Sequence, residues 1–192
     1  MNEHVNYITS KAKRTLGFVK RHAKQFQDPY VTKAIYCALV RPTLEYCLVS
    51  WMPFTKLQID EIESVQRQFL LFALLDLRWN YPYMLPKYED RLKLIHLDSL
   101  NKRRTIISSS FMYKLLNGFI DVLILKDQLI LNESRYSTRT KSKYVQQKHS
   151  TNYGMNEPVT RLIKLYNVYE DNFANSSSVN KFKSRLRSEI CN

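Results

Sequence analysis

Apolar residues recur at helical spacing along most of the chain. Ile8, Ala12, Leu16, Val19, Ala23 and Phe26 step by four or three. At 100° per residue they stay within a sector of about 80°, so residues 1–26 are predicted to form one amphipathic helix. Lys13, Arg14, Lys20, Arg21 and Lys24 fall on its other side, with Lys11 flanking them. That arrangement has two readings, a solvated face or a face that follows a phosphate backbone, and the period alone leaves both open. Asp28-Pro29 then marks a restart, an N-cap residue followed by proline at the first helical position. The next helix is expected to run through Val31, Ile35 and Leu39 until Pro42 bends or breaks it.

A short helix from Leu44 to Trp51 is expected to stop at Pro53. Thr55 can cap the following helix, whose stripe is Ile59, Ile62, Val65, Phe69, Phe72 and Ala73. From Phe69 to Leu75 this helix is apolar all round, which predicts a place at the centre of the core. Residues 78–87 contain two prolines and read as an aromatic-rich loop. A short helix is expected over Tyr88 to Leu97, then a longer one capped by Asp98 and ended by Gly118. On the longer helix Leu100, Ile107, Phe111 and Leu115 share a face with Arg104, which predicts a structural ion pair for Arg104. Asp121 is expected to cap a short apolar helix reaching Ile130. Residues 134–156 change character, with five bases, no acid, many hydroxyls and three tyrosines. They read as a loop or extended arm. Helices from Pro158 to Tyr169 and from Ser178 to Ile190 close the chain, the last docked by Val179, Phe182, Leu186 and Ile190.

The fold class expected is therefore mainly α, a helical bundle followed by a basic arm and two short C-terminal helices. The division expected is 1–133 for the bundle and 134–192 for the arm and closing helices. Only 3 glycines occur among 192 residues, too few for the tight turns of a hairpin-rich fold.

Charge sharpens this picture. Residues 1–26 hold six bases and one acid, residues 27–100 eight and nine, and residues 101–192 sixteen and seven. The formal excess of +13 is thus concentrated at the two ends, and it favours a polyanionic partner. No apolar run approaches the roughly 20 residues of a membrane span. The basic, amphipathic start has no apolar leader core, so no signal peptide is expected. Cys37, Cys47 and Cys191 are an odd set with no close pair, expected as reduced thiols of an intracellular protein, with Cys37 and Cys47 in the core. The run Lys102 to Arg104 is too short to mark the chain for the nucleus, which stays open as a compartment.

Catalytic chemistry is missing from the pattern. The acidic pairs Glu89-Asp90 and Glu170-Asp171 sit on charged amphipathic segments and read as solvated helix ends. His4, His22, His96 and His149 are scattered without zinc-ligand spacing, and no serine lies in a nucleophile-elbow setting. No metal and no cofactor is expected.

Several blocks, taken in order, resemble the region downstream of the polymerase active site in jockey-like non-LTR (LINE-type) retrotransposon reverse transcriptases. They are HVNYITSKAKRTLGFVKRHAKQFQDPY at 4–30, LVRPTLEYCLVSWMPF at 39–54, IESVQRQFLLFAL at 62–74 and LPKYEDRLKLIHLDSLNKRR at 85–104. KLLNGFID at 114–121, HSTNYGMNEPVTRLIKLYN at 149–167 and the FKSRLR near the end complete the set. The resemblance implies a thumb-like bundle followed by the family's C-terminal helical region. The family's aromatic-Ala-Asp-Asp turn, which holds catalytic magnesium, lies upstream of the region resembled and has no counterpart here. Neither do the endonuclease domain or the cysteine/histidine knuckle of some relatives. Copies of such elements are commonly truncated at the 5′ end, and a frame starting mid-protein is what such a copy leaves.

In that family the thumb grips the template–primer duplex, so the resemblance implies RNA or DNA as partner, duplex or single strand. The residues expected to bind it are Lys13, Arg14, Lys20, Arg21 and Lys24 on the first helix. In the arm they are Arg135, Arg139, Lys141, Lys143, Tyr144 and Lys148, where bases interleave with Tyr136, Tyr144 and Tyr153 in a mixture that suits single strands. Arg41, Glu45, Glu63 and Arg67 are expected to form ion pairs between adjacent helices, with Tyr46 and Trp51 as core anchors. The function this implies is a non-catalytic nucleic-acid-binding fragment. The alternatives are a helical interaction module, self-association through uncovered apolar surface included, and a relic without function.

Overall fold

The computed structural model describes residues 2–26, 28–74, 86–132 and 143–191. The fold is mainly helical. Two compact units divide the chain, residues 1–104 and 105–192. The boundary expected at 133/134 lies outside the described residues; the division into compact units instead falls within a long helix.

In the first unit, α1 spans Asn2–His22 and is followed by a tight 3₁₀ turn at Ala23–Gln25. Its buried face is Val5, Ile8, Thr9, Ala12, Leu16 and Val19, the expected sector extended by one turn toward the N-terminus. Phe26 is a correction: it lies beyond the turn in extended backbone and is exposed. Thr9 is tolerated inside because its single hydroxyl proton has two acceptors at 2.8 Å, the Val5 carbonyl and Glu61 Oε1.

Asp28 caps as expected, its carboxylate accepting from the Tyr30 N–H at 2.7 Å. The helix it starts, α2 (Pro29–Ile35), passes through a wide π turn at Tyr36–Val40 into α3 (Arg41–Glu45). Pro42 therefore neither ends nor breaks the helix. Its missing N–H and its ring conflict with a regular turn before it, and the wide turn stands where that conflict would fall. The buried residues are Thr32, Tyr36, Val40 and Leu44, whereas Val31 and Leu39 are exposed. Steps of four drift by about 40° each on a regular helix, and the wide turn keeps Val40 and Leu44 aimed at the core.

Cys47 takes a left-handed conformation with φ of 53°, ending α3, and α4 covers only Leu48–Trp51. Cys47 is exposed, so it is not a core thiol; Cys37 is half-buried against the core. Tyr46 is likewise no core anchor, being 80 % exposed. Its carbonyl accepts from the Trp51 indole N–H at 2.7 Å, which holds Trp51 partly packed on the core.

Thr55 caps α5 (Lys56–Ala73), accepting from the Gln58 N–H at 3.4 Å. The main packing in this unit is α1 against α5, with the α2–α3 segment against both. Phe69 and Leu70 are fully buried, and Phe69 stacks on Tyr36 with centroids 4.1 Å apart. Leu71 nonetheless reaches solvent, so the apolar run is not enclosed on all sides. Burying side chains of this size contributes about 1.5–3 kcal/mol each.

Helix α6 is Tyr88–Leu94 and α7 is Leu100–Leu116. In the first turn of α7 the Ser99 hydroxyl accepts from the Lys102 N–H at 3.2 Å. Gly118 ends α7 with φ of 75°. The Phe119 N–H returns to the Lys114 carbonyl at 2.9 Å and the Gly118 N–H to that of Leu115 at 3.4 Å, the paired bonds that a left-handed C′ glycine makes possible.

A buried polar network joins α5, α6 and α7. Glu63 accepts from the Leu100 N–H at 3.1 Å, from Arg104 Nη2 at 3.3 Å and from the Tyr88 hydroxyl. One carboxylate thus satisfies an orphan donor in the first turn of α7 and neutralises a guanidinium that is 2 % exposed. The structural ion pair expected for Arg104 is present. The other expected pairs are redistributed. Arg41 meets Glu45 at 3.8 Å within one helical stretch, Arg103 Nη2 donates to Glu45 at 2.8 Å, and Arg67 meets Asp60 at 3.3 Å. Burial lowers the Arg104 pKa against the pull of Glu63, while the hydrogen bond to Glu45 raises that of Arg103.

In the second unit, α8 (Leu123–Asp127) has no side-chain cap. Asp121, expected there, instead pairs with Lys126 at 3.0 Å. After an isolated antiparallel bridge between Leu131 and Tyr144 come α9 (Asn152–Met155), α10 (Pro158–Val168), α11 (Glu170–Ala174) and α12 (Val179–Cys191). The short α11 was not expected from the sequence. Tyr113 on α7 stacks on Phe182 at 4.7 Å, and Phe173 lies 4.6 Å from Tyr166 and 4.8 Å from Phe182. The Tyr113 hydroxyl donates to the Ser176 carbonyl at 2.8 Å. Phe182 and Leu186 dock α12 and are fully buried, as expected.

Candidate nucleic-acid interface

The buried face of α1 fixes what its other faces can do. Five apolar core residues from Val5 to Val19 lock the helix about its own axis, so every remaining position has a set direction. Lys13 and Lys20 form one row beside the buried sector, and Lys24 follows in the 3₁₀ turn. Lys13 and Lys24 are exposed; Lys20 is half-buried, and burial lowers its pKa. Arg14 and Arg21 are exposed on a second row, rotated by roughly 90–120° from the first at 100° per residue. None of the five is ion-paired among the described residues. The five basic residues expected from the sequence are thus brought together on the solvent side of α1 and the 3₁₀ turn after it, in two rows rather than one.

The second row holds more than charge. Tyr7 and Lys11 precede Arg14 on it, and Phe18 and His22 alternate with Arg14 and Arg21; all are exposed. Tyr7 is 60 % and Phe18 50 % exposed, and the Phe18 ring lies 4.3 Å from the His22 ring. Neither aromatic is among the binding residues expected from the sequence, although a helical wheel sets both well away from the apolar sector.

The arm residues fare differently. Arg135, Arg139, Lys141 and Tyr136 lie outside the described residues. Lys148 is exposed, in backbone without helix. Tyr144 is a correction: its ring is buried, meeting Tyr166 edge-on at 4.8 Å. An aromatic residue in that position belongs to the core of the second unit, and no base can stack on it. Lys143 is exposed, but its ammonium stands 5.7 Å over the Tyr166 ring, and the Tyr166 phenol beside it raises its pKa. Tyr153 is exposed. Of the arm residues described, Lys148 and Tyr153 present free side-chain surface, and Lys143 presents a cation already drawn toward a ring.

Among the described residues no group of three or more His, Cys, Asp or Glu side chains could hold a metal ion. Glu89 and Asp90 are exposed in the first turn of α6, where negative charge suits the helix dipole. Among the described residues no helix is long and apolar enough to cross a membrane. No family model, curated protein or solved structure matches this chain.

Proposed function

We propose that this chain is a non-catalytic nucleic-acid-binding fragment, akin to the thumb and downstream region of a jockey-like non-LTR retrotransposon reverse transcriptase. The observation that carries the binding is the solvent side of α1 and the turn after it, where Lys13, Arg14, Lys20, Arg21 and Lys24 gather with no ion-pair partner among the described residues. Six bases against one acid in the first 26 residues exceed what solubility requires. Cations so placed neutralise phosphates and release counterions, which supplies affinity without sequence information. The ordered blocks from 4–30 to the FKSRLR at 182–187 support the retrotransposon origin. Polymerisation is not part of the proposal, because the family's catalytic aspartate turn has no counterpart in this sequence.

Filter binding at low salt to an RNA–DNA hybrid and to single strands tests it. Retention of nucleic acid that fades as salt rises is the expected result; no retention at low salt contradicts it. A second reading, self-association, draws on exposed apolar residues of the second unit: Phe119, Leu123, Ile124, Ile130 and Leu131. Light scattering that finds larger species at rising concentration favours it, and a clean monomer counts against it.

A further inference from the structure

We propose that the row Tyr7–Lys11–Arg14–Phe18–Arg21–His22 on α1 is a stacking surface for single-stranded nucleic acid. This rests on the reading that α1 binds nucleic acid, and it adds the strand class and two residues that do not carry charge. From Tyr7 to Arg21 successive members are three or four positions apart, and His22 follows Phe18 by four, so all lie along one side of the helix. Aromatic and cationic side chains are interleaved there, and every member is exposed. A helix that only tracks the phosphates of a duplex gains nothing from open rings at these positions, because paired bases present no free face to them. Single strands do present such faces, and a ring beside a cation is the combination that holds them.

The geometry fits one strand lying along the helix. Tyr7 and Phe18 are eleven positions apart, about 16 Å at 1.5 Å per residue. That is four to five stacked bases at about 3.4 Å each along one strand. The rings therefore serve as two separate stacking points, with Lys11 and Arg14 placed between them to meet the intervening phosphates. The His22 ring, 4.3 Å from Phe18, enlarges the second point. A protein partner is the poorer occupant, since the charged residues between the rings break the row into small apolar islands, whereas protein docking surfaces concentrate apolar area at their centre.

The test uses the full chain and fluorescence anisotropy with a labelled oligodeoxythymidine and a DNA duplex of equal length. Tyr7→Ser and Phe18→Ser are each expected to weaken single-strand binding about tenfold, with duplex binding within about twofold of the parent. The salt slope should stay unchanged, because every phosphate-facing cation is still in place. Tyr7→Phe should restore single-strand affinity. Phe18→Trp should bind like the parent, and the indole emission it adds to that of Trp51 and Trp79 in the parent should be quenched by the single strand and not by the duplex. Serine variants that bind single strands like the parent, or that weaken single-strand and duplex binding equally, overturn the stacking surface and leave the charge-based reading standing. A parent chain that binds neither probe at low salt overturns both. Melting temperatures of the serine variants within a few degrees of the parent show that folding is not the cause, and the tryptophan signal decides independently of any affinity change.

Discussion

The two units hold themselves together by different means. The first packs long amphipathic helices mostly through aliphatic side chains around one stacked pair, Tyr36 on Phe69, and adds a buried polar knot, with Glu63 tying Arg104, Tyr88 and the Leu100 N–H together. The second has shorter helices and relies on rings, with Tyr113, Tyr144, Tyr166, Phe173 and Phe182 meeting at 4.6–6.4 Å. Aliphatic packing is tolerant of rotation, so the polar knot fixes register in the first unit. Aromatic packing is directional in itself and needs no buried charge. The difference teaches that Arg104, although part of a basic C-terminal half, is structural, whereas the unpaired bases of α1 are available to a partner.

Core deletions should separate the units most strongly. Phe69→Ala and Phe182→Ala are each expected to cost about 3–5 kcal/mol, the first destabilising residues 1–104 and the second residues 105–192. Hydrogen exchange resolved along the chain checks this, and an equal fall in protection in both units after either change would erase the comparison. Arg104→Met alone should cost about 3–5 kcal/mol by stranding a buried carboxylate, while Arg104→Met with Glu63→Gln, whose amide oxygen can still accept from the Leu100 N–H, should recover part of it. Urea denaturation of the two variants measures the difference. If the double variant is no better than the single, the knot is not an ion pair in energetic terms.

Alkaline pH should act on the first unit. Burial, and then the Glu63 charge, raises the pKa of both Tyr36 and Tyr88. A phenol with a raised pKa in the fold holds its proton more tightly there than in the unfolded chain. Its contribution is full below the unfolded tyrosine value of about 10 and falls as pH rises above it. Melting followed from pH 8 to 11 should show that decline, and Tyr88→Phe should reduce it. The smallest effect expected is a gain. Gly17 sits inside α1, and an added Cβ would meet nothing nearer than Arg21 Nη1 at 3.9 Å. Gly17→Ala should therefore stabilise the first unit by about 1 kcal/mol in thermal melts, and destabilisation would show that the helix geometry there differs.

Long periods were the legible part of the fold. The caps Asp28, Thr55 and Gly118 and the centres of the stripes of α1, α5 and α12 follow from local chemistry and are in place, whereas Phe26 is exposed and Ile59, Phe72, Ala73, Val179 and Ile190 are only partly buried. The α2–α3 face was not legible, because the spacing Thr32, Tyr36, Val40, Leu44 suits a helix only with the wide turn before Pro42. Partner choice was legible only in part: Arg104 could be read from its face, but the pairing of Glu63 with it rather than with Arg67 depends on tertiary placement. The candidate interface divides in the same way. The bases of α1 could be read from the helical wheel, but Tyr144 reads as a stacking residue until its neighbour Tyr166, 22 positions away, is known.

The central claim is that the solvent side of α1 follows a phosphate backbone. Its most direct test is anisotropy across a salt series, comparing the parent chain with a variant in which Lys13, Arg14, Lys20 and Arg21 are changed to glutamine. The account expects a steep linear fall of log affinity with log salt, flattened in the variant by about one unit for each phosphate no longer neutralised. An identical slope in the two proteins would contradict it and remove α1 from the interface.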